Sequence, residues 1–252
     1  MIPIEQVSVV IPALNEESTV GQVVRDAAAD RPLEVLVIDA DSQDETAAEA
    51  RAAGAQVVNW REVLPQVKPA PGKGESLWRG VAAACGEVVV FLDADLTATA
   101  PGMVRALSAP FGDEGVHMVK ADYVRTFQGR PGAGGRVTEL TAKPLLSALF
   151  PELDGIHQPL GGEYALRRST ALSLPFVEGY GVESGLLIDV AQRYGPAAIA
   201  QVDLGTRSHR NRPLSELGPM ARMVAATILS RAGVPGVEVA QRPPLSTMVK
   251  PE

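Results

Sequence analysis

The chain has 252 residues, of which 46% are hydrophobic and 4% aromatic, and its formal net charge is −7. This length permits one large α/β domain or two small ones, with a core built on Ala, Val and Leu. The acidic balance and the lack of a long run of Lys or Arg argue against non-specific nucleic-acid binding. A local basic pocket for a small anion is compatible with that charge.

Cysteine usage and the first residues indicate the compartment. Cys85 is the one cysteine, which excludes a disulfide framework and indicates reducing conditions; in an Ala-rich helical stretch it is expected to be a small core residue. The chain starts without a basic segment followed by an apolar run, and it has no stretch of about 18 apolar residues. We therefore expect a cytoplasmic protein without a membrane partner.

Short apolar runs alternate with helical patterns over the first hundred residues. Strands are predicted at residues 7–11, 35–38, 56–58 and 88–92, and helices at residues 17–29, 44–53 and 75–85. Continuous apolar runs separated by helices are typical of parallel strands buried on both faces, which right-handed crossovers build into a doubly wound sheet. The sequence predicts an α/β fold whose ligands bind outside the carboxyl ends of the strands.

The second half of the chain is less regular. Strands are predicted at residues 116–120, 162–166 and 199–204, helices at 137–150, 182–194 and 214–231, and a loop at 126–135. The last residues, 235–252, are rich in proline and are expected to form a loose tail. We divide the chain into residues 1–100, residues 101–234 and this tail.

The first two predicted strand ends carry polar residues. The first turn, Pro12-Ala13-Leu14-Asn15-Glu16-Glu17, lacks the Gly-x-Gly-x-x-Gly pattern, which argues against a nicotinamide or flavin cofactor. The second turn contains Asp39, Asp41 and Asp44. Their carboxylates suit hydrogen bonds from a base or ribose, and Ser42 or Asp44 also suits a helix N-cap. Both interpretations stay open.

A third turn, Pro71-Gly72-Lys73-Gly74-Glu75, has glycine on both sides of a lysine. The Walker pattern fails, because Val67 stands at its first glycine and Gly74 at its Ser/Thr. Glycines at a helix start still suit close approach of the backbone to an anion. The alternative is a solvated lysine in a flexible turn.

The fourth strand end, Phe91-Leu92-Asp93-Ala94-Asp95-Leu96, places two carboxylates two residues apart. Alternation along an extended strand would point both to one side. Carboxylates at the mouth of a buried strand are costly without a partner, and a divalent cation bridging to a diphosphate supplies one. The sequence predicts a metal and diphosphate site here.

Two basic segments follow in the second half. Arg207-Ser208-His209-Arg210-Asn211-Arg212 concentrates cations in an acidic chain, which indicates anion recognition or, alternatively, a solvated basic turn. Gly134-Gly135-Arg136-Val137-Thr138 combines a turn, an arginine and a helix start. It is a candidate cradle for a phosphate or carboxylate.

Together these motifs resemble the glucosyl-3-phosphoglycerate synthase family of retaining glycosyltransferases, over residues 7–232. The resemblance also rests on Ser76-Leu77-Trp78-Arg79, Glu139-Leu140 and Gly179-Tyr180-Gly181-Val182-Glu183. It implies a GT-A fold, a Rossmann-like mostly parallel sheet flanked by helices, with the nucleotide sugar on residues 1–100 and a smaller acceptor-binding part after them. It further implies UDP-glucose as donor, the 2-hydroxyl of 3-phosphoglycerate as acceptor, Mg²⁺ or Mn²⁺ as cofactor, and a homodimer.

The resemblance also implies roles for individual residues. The implied donor-binding residues are Pro12, Ala13, Leu14, Glu16, Ala40, Lys73, Asp93, Ala94 and Asp95. The implied acceptor-binding residues are Gly135, Arg136, Thr138 and Asn211. The implied metal ligands are Asp95 and His209. The implied catalytic residues are Asp93, Glu183, Leu160 and Arg207, with Arg207 contacting the phosphates and the backbone carbonyl near Leu160 assisting front-face attack.

Some features depart from the family and leave alternatives. Gly161 stands where a serine is familiar, the loop before Gly134 is shorter, and the second turn is more acidic. A double-displacement mechanism would need a carboxylate nucleophile, for which Glu183 is the candidate. Because of these departures from the family, two alternative activities stay open: synthesis of mannosyl-3-phosphoglycerate from GDP-mannose, and transfer to another small anionic acceptor.

The sequence argues against two other classes of protein and leaves the role of one helix undecided. A nucleotidyltransferase would carry a Gly-rich loop with Arg or Lys directly after the first strand, which this chain lacks. A binding module without activity would be expected to lose the aspartate pair. The helix at 214–231 carries an apolar stripe that either packs on its own domain or forms a dimer contact; its members are Leu217, Met220, Val224, Ile228 and Leu229.

Overall fold

The fold is described from a computed structural model. It describes residues 2–97, 99–127, 130–131, 135–208 and 214–248, with the backbone alone at 125–127, 130–131, 207–208, 214 and 216. The strands are β1 (Val7–Ala13), β2 (Glu34–Asp39), β3 (Gln56–Asn59), β4 (Val88–Phe91), β5 (Met118–Phe127), β6 (Arg130–Pro131), β7 (Tyr164–Arg167), β8 (Phe176–Val177), β9 (Ile199–Ser208) and β10 (Gln241–Arg242).

Helices connect these strands. The α-helices are α1 (Val20–Ala29), α2 (Thr46–Ala52), α3 (Lys73–Ala83), α4 (Met103–Ser108), α5 (Lys143–Leu149), α6 (Arg168–Ser173), α7 (Val182–Tyr194) and α8 (Leu214–Arg231). A π-helical turn, Thr138–Ala142, leads into α5. Short 3₁₀ helices are Ile4–Gln6, Ala109–Gly112, Pro151–Leu153, Pro196–Ala198 and Leu245–Thr247. Within the described part of the chain, no helix is long and apolar enough to cross a membrane.

One large sheet organises the molecule. Its strand order is β3-β2-β1-β4-β7-β5-β6, and β9 pairs with β5 off this path. β1, β2, β3 and β4 pair in parallel, as do β5 and β9, whereas β7 is antiparallel to both β4 and β5. The predicted mostly parallel sheet flanked by helices is therefore confirmed.

Strand alternation divides the core between the two faces of the sheet. Val10 belongs to the core on the face of α3, whereas Val9 and Ile11 belong to the core on the face of α1. All three side chains are fully buried. A strand covered by helices on both faces buries every side chain, which is why β1 is apolar along its length.

β1 extends two residues beyond the predicted end at residue 11. Pro12 and Ala13 pair with Ile38 and Asp39 of β2, whereas pairing with β4 ends at Val10. Beyond that point one side of β1 has no strand neighbour, so the missing N–H of proline removes no ladder hydrogen bond. The strand therefore carries the chain directly into the pocket described below.

Two sequence expectations differ from the structure, and the structure decides one alternative that the sequence left open. Residues 126–127 and 130–131, expected in a loop, lie in β5 and β6. Cys85, expected in the core, is exposed, because α3 ends at Ala83. The apolar stripe of α8 packs on its own domain, since Val224 and Ile228 are fully buried in the core shared with α3 and α7.

The C-terminal residues are also packed rather than loose as far as residue 248. β10 pairs antiparallel with β8. Arg242 Nε lies 2.5 Å from Oε2 of the buried Glu75, and Trp78 Nε1 donates to the Pro243 carbonyl at 2.9 Å. Leu245 is buried in the core. Residues 241–245 therefore form a strap that crosses α3, and contacts with residues far away in the chain hold it there.

Candidate active site

The residues that follow β1, β2, β3 and β4 line one pocket of about 420 Å³. It lies at the edge where parallel strands bring their carboxyl ends together. All nine residues that the resemblance assigns to the donor line it. The full lining is Pro12, Ala13, Leu14, Glu16, Ala40, Trp60, Pro71, Gly72, Lys73, Ser76, Asp93, Ala94, Asp95 and Tyr180.

Hydrogen bonds join the turn after β1 to the turn after β2. The Asn15 N–H donates to Ser42 Oγ at 3.0 Å, and Asn15 Oδ1 accepts from the Gln43 N–H at 2.8 Å. Asn15 has φ of 57°, a left-handed conformation that asparagine adopts more readily than most residues. The Glu16 N–H donates to Thr46 Oγ1 at 2.7 Å. The capping interpretation is thereby decided between its two candidates: Ser42 serves the first turn, whereas Asp44 accepts from the N–H of Thr46 at the start of α2. Hydrogen bonding of this turn to a base or ribose stays a prediction.

Asp41 fastens the second turn to the residues after β3. Arg61 Nε donates to its carboxylate at 2.8 Å, and Asn59 Nδ2 donates at 3.1 Å. These hydrogen bonds, that of Arg61 above all, lower the pKa of Asp41 to about 2. The pocket wall formed by Trp60 is therefore tied to the turn after β2 at neutral pH.

The Gly-Lys-Gly turn is packed, which excludes the interpretation of a solvated lysine. Gly72 has φ of +119°, and a Cβ on it would lie 2.3 Å from the Glu178 carbonyl oxygen. A Cβ on Gly74 would lie 1.7 Å from the Val177 carbonyl oxygen. Only glycine permits the start of α3 to approach this backbone so closely. The two glycines thereby fix the position of Lys73, the first residue of α3.

Lys73 bridges two carboxylates from distant parts of the chain. Its Nζ lies 2.5 Å from Asp93 Oδ1 and 2.6 Å from Glu183 Oε1. Burial by itself would lower the pKa of Lys73, but the charges of Asp93 and Glu183 outweigh it and hold that pKa well above its usual value. Lys73 is therefore an ammonium ion at neutral pH, and it joins α3, the end of β4 and α7.

The aspartate pair is split between two environments. β4 ends at Phe91, and Ala94 and Asp95 lie in a turn, so the expectation that strand alternation would align both carboxylates was wrong. Asp93 is half-buried between Lys73 and Gly162, where an added Cβ would lie 2.1 Å from Asp93 Oδ2. Asp95 is exposed at the pocket. The two carboxylates are thus suited to different partners.

The residues present fit a divalent cation at Asp95. No group of three His, Cys, Asp or Glu that suits a metal occurs among the residues the structure describes. Mg²⁺, however, is commonly held by one or two carboxylates together with substrate phosphates and water. An exposed carboxylate on the wall of a pocket large enough for a nucleotide sugar meets that requirement. The other predicted ligand, His209, lies outside the described residues.

The structure places the remaining predicted residues as follows. Glu183 is buried in the first turn of α7. Leu160 lies in a turn in which the Gly161 N–H donates to the Gln158 carbonyl at 3.0 Å. Gly135 and the exposed Arg136 precede the π-helical turn, in which Thr138 is buried. Arg207 lies in β9 and is described by its backbone alone, and Asn211 lies outside the described residues.

Sequence reasoning missed two buried polar residues near the carboxylates. Lys120 of β5 is fully buried, and its Nζ donates to the Gly161 carbonyl at 2.6 Å. Tyr164 of β7 is also fully buried; burial, followed by the charge of Glu183, raises the pKa of its phenol well above the usual value. A lysine inside the apolar run of residues 116–121 is the signal that would have found the first.

Comparison with known proteins supplies the family. The model for Glycosyl transferase family 2 matches residues 8–173. Glucosyl-3-phosphoglycerate synthase of Mycolicibacterium paratuberculosis is 53% identical over 244 residues, which cover 91% of this chain and 73% of that protein. The synthase of Petrotoga mobilis is 42% identical over 90% of this chain and 73% of its own length.

Solved structures agree in fold. Mycobacterium tuberculosis glucosyl-3-phosphoglycerate synthase in complex with Mn²⁺, UDP-glucose and phosphoglyceric acid superposes with a TM-score of 0.90 at 47% identity, covering 97% of this chain and 91% of that one. The same enzyme with Mn²⁺, UDP and glucosyl-3-phosphoglycerate also has a TM-score of 0.90, with 97% and 92% covered.

The sheet order, and a pocket at the carboxyl ends of β1 to β4 with an aspartate pair on its wall, define a glycosyltransferase of the GT-A type. Identity above 40% across nine-tenths of the chain narrows the class further. The chain belongs to the glucosyl-3-phosphoglycerate synthase family, within glycosyl transferase family 2.

Proposed function

We propose that this chain transfers glucose from UDP-glucose to the 2-hydroxyl of 3-phosphoglycerate, with retention of configuration and with Mg²⁺ or Mn²⁺ as cofactor. One observation carries the proposal: Lys73, beside Asp93 on the wall of the pocket, bridges Asp93 to the buried Glu183. The related M. tuberculosis enzyme with Mn²⁺, UDP-glucose and phosphoglyceric acid supports the choice of substrates.

The two bridged carboxylates suit the hydroxyls of a sugar. An ionised carboxylate has about four lone-pair sites, and Lys73 occupies one on each of Asp93 and Glu183. The remaining sites accept hydrogen bonds from donor hydroxyls, while the ammonium keeps the carboxylates in place. Such prior placement lowers the reorganisation needed when charge develops in the transition state.

Asp95 and His209 would hold the metal. A divalent cation held there would supply positive charge against the negative charge that develops on UDP as it leaves. Arg207 contributes a second positive charge to the same phosphates in this proposal. Gly135, Arg136, Thr138 and Asn211 bind the acceptor, because a guanidinium and a helix start both favour phosphate or carboxylate groups.

Front-face attack is the mechanism we propose for retention. A double-displacement enzyme needs a carboxylate free to attack the anomeric carbon. Lys73 lies 2.6 Å from Glu183 Oε1, and this ion pair makes the candidate nucleophile less reactive. The leaving phosphate then accepts the acceptor proton, and the Leu160 backbone carbonyl stabilises the positive charge that develops on the sugar.

We also propose a homodimer in the cytoplasm, with residues 1–100 serving the donor and residues 101–234 serving the acceptor. Exposed apolar side chains on neighbouring elements support a dimer: Leu140 of the π-helical turn is 76% exposed, and Leu149 of α5 and Met223 of α8 are 37% exposed. Sedimentation equilibrium tests it, and a monomer at micromolar concentration would contradict it. The free thiol of Cys85 supports a reducing compartment.

A donor-by-acceptor screen with Mg²⁺ and with Mn²⁺ tests the proposed function. UDP-glucose and GDP-mannose are each offered 3-phosphoglycerate, glycerol 3-phosphate and glycerate, and nucleotide release is followed. We expect the fastest turnover with UDP-glucose and 3-phosphoglycerate. Faster turnover with GDP-mannose would contradict the donor, and equal turnover with glycerate would contradict recognition of the phosphate.

A further inference from the structure

The segment 158–163 carries the Leu160 carbonyl and is held along β5. The Gln158 side chain donates to the Tyr123 carbonyl at 3.1 Å, and the Ala121 N–H donates to the Glu163 carbonyl at 3.0 Å. A Cβ on Gly161 would lie 3.1 Å from the Tyr123 hydroxyl, so the backbone of the segment passes close to this side chain of β5. The segment is therefore seated on β5 at both ends.

Lys120 holds the middle of this segment. Its Nζ donates to the Gly161 carbonyl at 2.6 Å and lies 4.7 Å from the centroid of the Tyr164 ring. The side chain is fully buried. The carbonyl next to that of Leu160 is thus bound by an ammonium group inside the protein.

Asp93 bounds the same segment on its other side. A Cβ on Gly162 would lie within 2.1 Å of Asp93 Oδ2, so the carboxylate rests directly against the backbone. The segment lies between the lysine that binds Gly161 and the carboxylate that borders Gly162. A shift of Gly161 would therefore move both the Leu160 carbonyl and the surface against which Asp93 rests.

The charges around Lys120 show what keeps its ammonium in place. Tyr164 faces it from β7, Glu163 from the residue before β7, Glu183 from α7, and Asp93 from the turn after β4, whereas Lys73 of α3 repels it. Burial lowers the pKa of Lys120 to about 8, and the charges of Glu183, Glu163 and Asp93 oppose that lowering. An uncharged side chain of similar length would avoid the cost of burying a charge.

We propose that Lys120 is a positioning residue for glycosyl transfer: it holds the Gly161 carbonyl and so places the Leu160 carbonyl and Asp93 against the sugar. The inference rests on the proposed function, because it concerns the same reaction centre. Lys120 acts through its neighbours, and it requires no contact with substrate. Misplacement of a reacting group by about 1 Å is sufficient to lower turnover about 100-fold.

Lys120→Met and Lys120→Gln form the test pair. Their side chains have the same length, but only glutamine can donate to the Gly161 carbonyl. We expect Lys120→Met to lower kcat about 100-fold with both KM values within about threefold of wild type. We expect Lys120→Gln to recover about tenfold of that loss. Equal kcat in the two variants, or a change confined to KM, would overturn the proposal.

Two further measurements separate positioning from folding. UDP-glucose affinity by calorimetry should be unchanged in both variants, and Lys68→Met, at an exposed lysine, should match wild type. In wild type, kcat/KM for UDP-glucose should fall as pH rises through about 8, because Lys120 loses its proton there. A profile that is flat to pH about 10 would overturn the role of the ammonium even if Lys120→Met does not fold.

The two proposals fail in different ways. Wild-type protein that turns over neither UDP-glucose nor 3-phosphoglycerate contradicts the proposed function and, with it, this inference. If the wild-type protein turns over both substrates and Lys120→Met is equally fast, only the role of Lys120 is contradicted, and the proposed function stands.

Discussion

At the scale of single residues, the carboxylates of the site differ in burial. Asp93 is half-buried and Glu183 is buried, and both pair with Lys73, whereas Asp95 is exposed at the pocket. A carboxylate held by a buried ammonium keeps its position, and an exposed carboxylate is accessible to a divalent cation and its water ligands. We therefore propose the sugar as the partner of Asp93 and the metal as the partner of Asp95.

Asp95→Asn should abolish metal-dependent turnover. The amide lacks the charge that favours Mg²⁺ or Mn²⁺, and loss of one such charge contact commonly lowers the rate about 100-fold or more. Steady-state rates measured over a wide range of Mn²⁺ concentration check this. The exposed Asp154→Asn serves as control. Wild-type rates in the Asp95 variant at any Mn²⁺ concentration would contradict the assignment.

Arg136→Ala should weaken acceptor binding and leave donor binding nearly unchanged. Its guanidinium is exposed beside the π-helical turn, where we place the phosphate of the acceptor. We expect the Kd for 3-phosphoglycerate to rise at least about tenfold, measured by calorimetry in the presence of UDP and Mn²⁺. Arg51→Ala, at another exposed arginine, should bind like wild type. If the Arg136 variant bound 3-phosphoglycerate as tightly as wild type, Arg136 would not be an acceptor-binding residue.

At the scale of elements, α3 connects the site to the rest of the protein. Lys73 begins it and reaches the carboxylates, while Glu75 and Arg79 form a buried ion pair at 2.7 Å. Arg79 also donates to the carbonyls of Trp60 and Val67, at 3.0 and 2.6 Å. One helix thus supports the pocket wall after β3 and supplies the cation that bridges Asp93 and Glu183.

Arg242→Ala should destabilise the protein through α3. It removes the Arg242 partner of the fully buried Glu75, a hydrogen bond between charged groups worth about 2 kcal/mol. Thermal unfolding should shift down by about 5 °C, since about 1 kcal/mol moves a chain of this size by 2–4 °C. Arg25→Ala, at an exposed arginine, is the control. An unchanged melting temperature would show that the contact between Arg242 and Glu75 contributes nothing to stability.

The packing of the strap could not be predicted from the sequence, whereas the longer strands could. Strands with several apolar residues, such as β1 and β2, are visible as runs, because burial on both faces leaves no polar position. β8 and β10 have two residues each, too few for any periodicity. Proline content suggested a loose tail, but the contacts that hold the tail join residues more than 160 positions apart.

The candidate site divides in the same way. The motifs around Asp93, Lys73 and Pro12 were found because each lies at the end of a predicted element, and the strand order then brought them to one pocket. The partners of Lys73 were not foreseen, since no local pattern reports an ion pair to α7. Lys120 was missed because an isolated charge in an apolar run looks like a strand end.

At the scale of the whole molecule, the buried Lys120 should make the free energy of unfolding depend on pH. The folded chain releases its proton near pH 8 and the unfolded chain near 10.5. Between these values the unfolded state binds more protons, so the free energy of unfolding should rise with pH relative to Lys120→Met. The rise should total about 3 kcal/mol. Urea unfolding of both proteins from pH 7 to 10.5 measures it, and parallel curves would contradict the lowered pKa.

We propose that this pocket transfers glucose from UDP-glucose to 3-phosphoglycerate with retention. The most direct measurement is proton NMR of the product formed from these two substrates with Mn²⁺ and wild-type protein. We expect one glycoside, with α-linked glucose on the 2-oxygen of 3-phosphoglycerate, formed in an amount equal to the released UDP. A β-linked product, UDP release without any glycoside, or UDP-glucose left intact would contradict it.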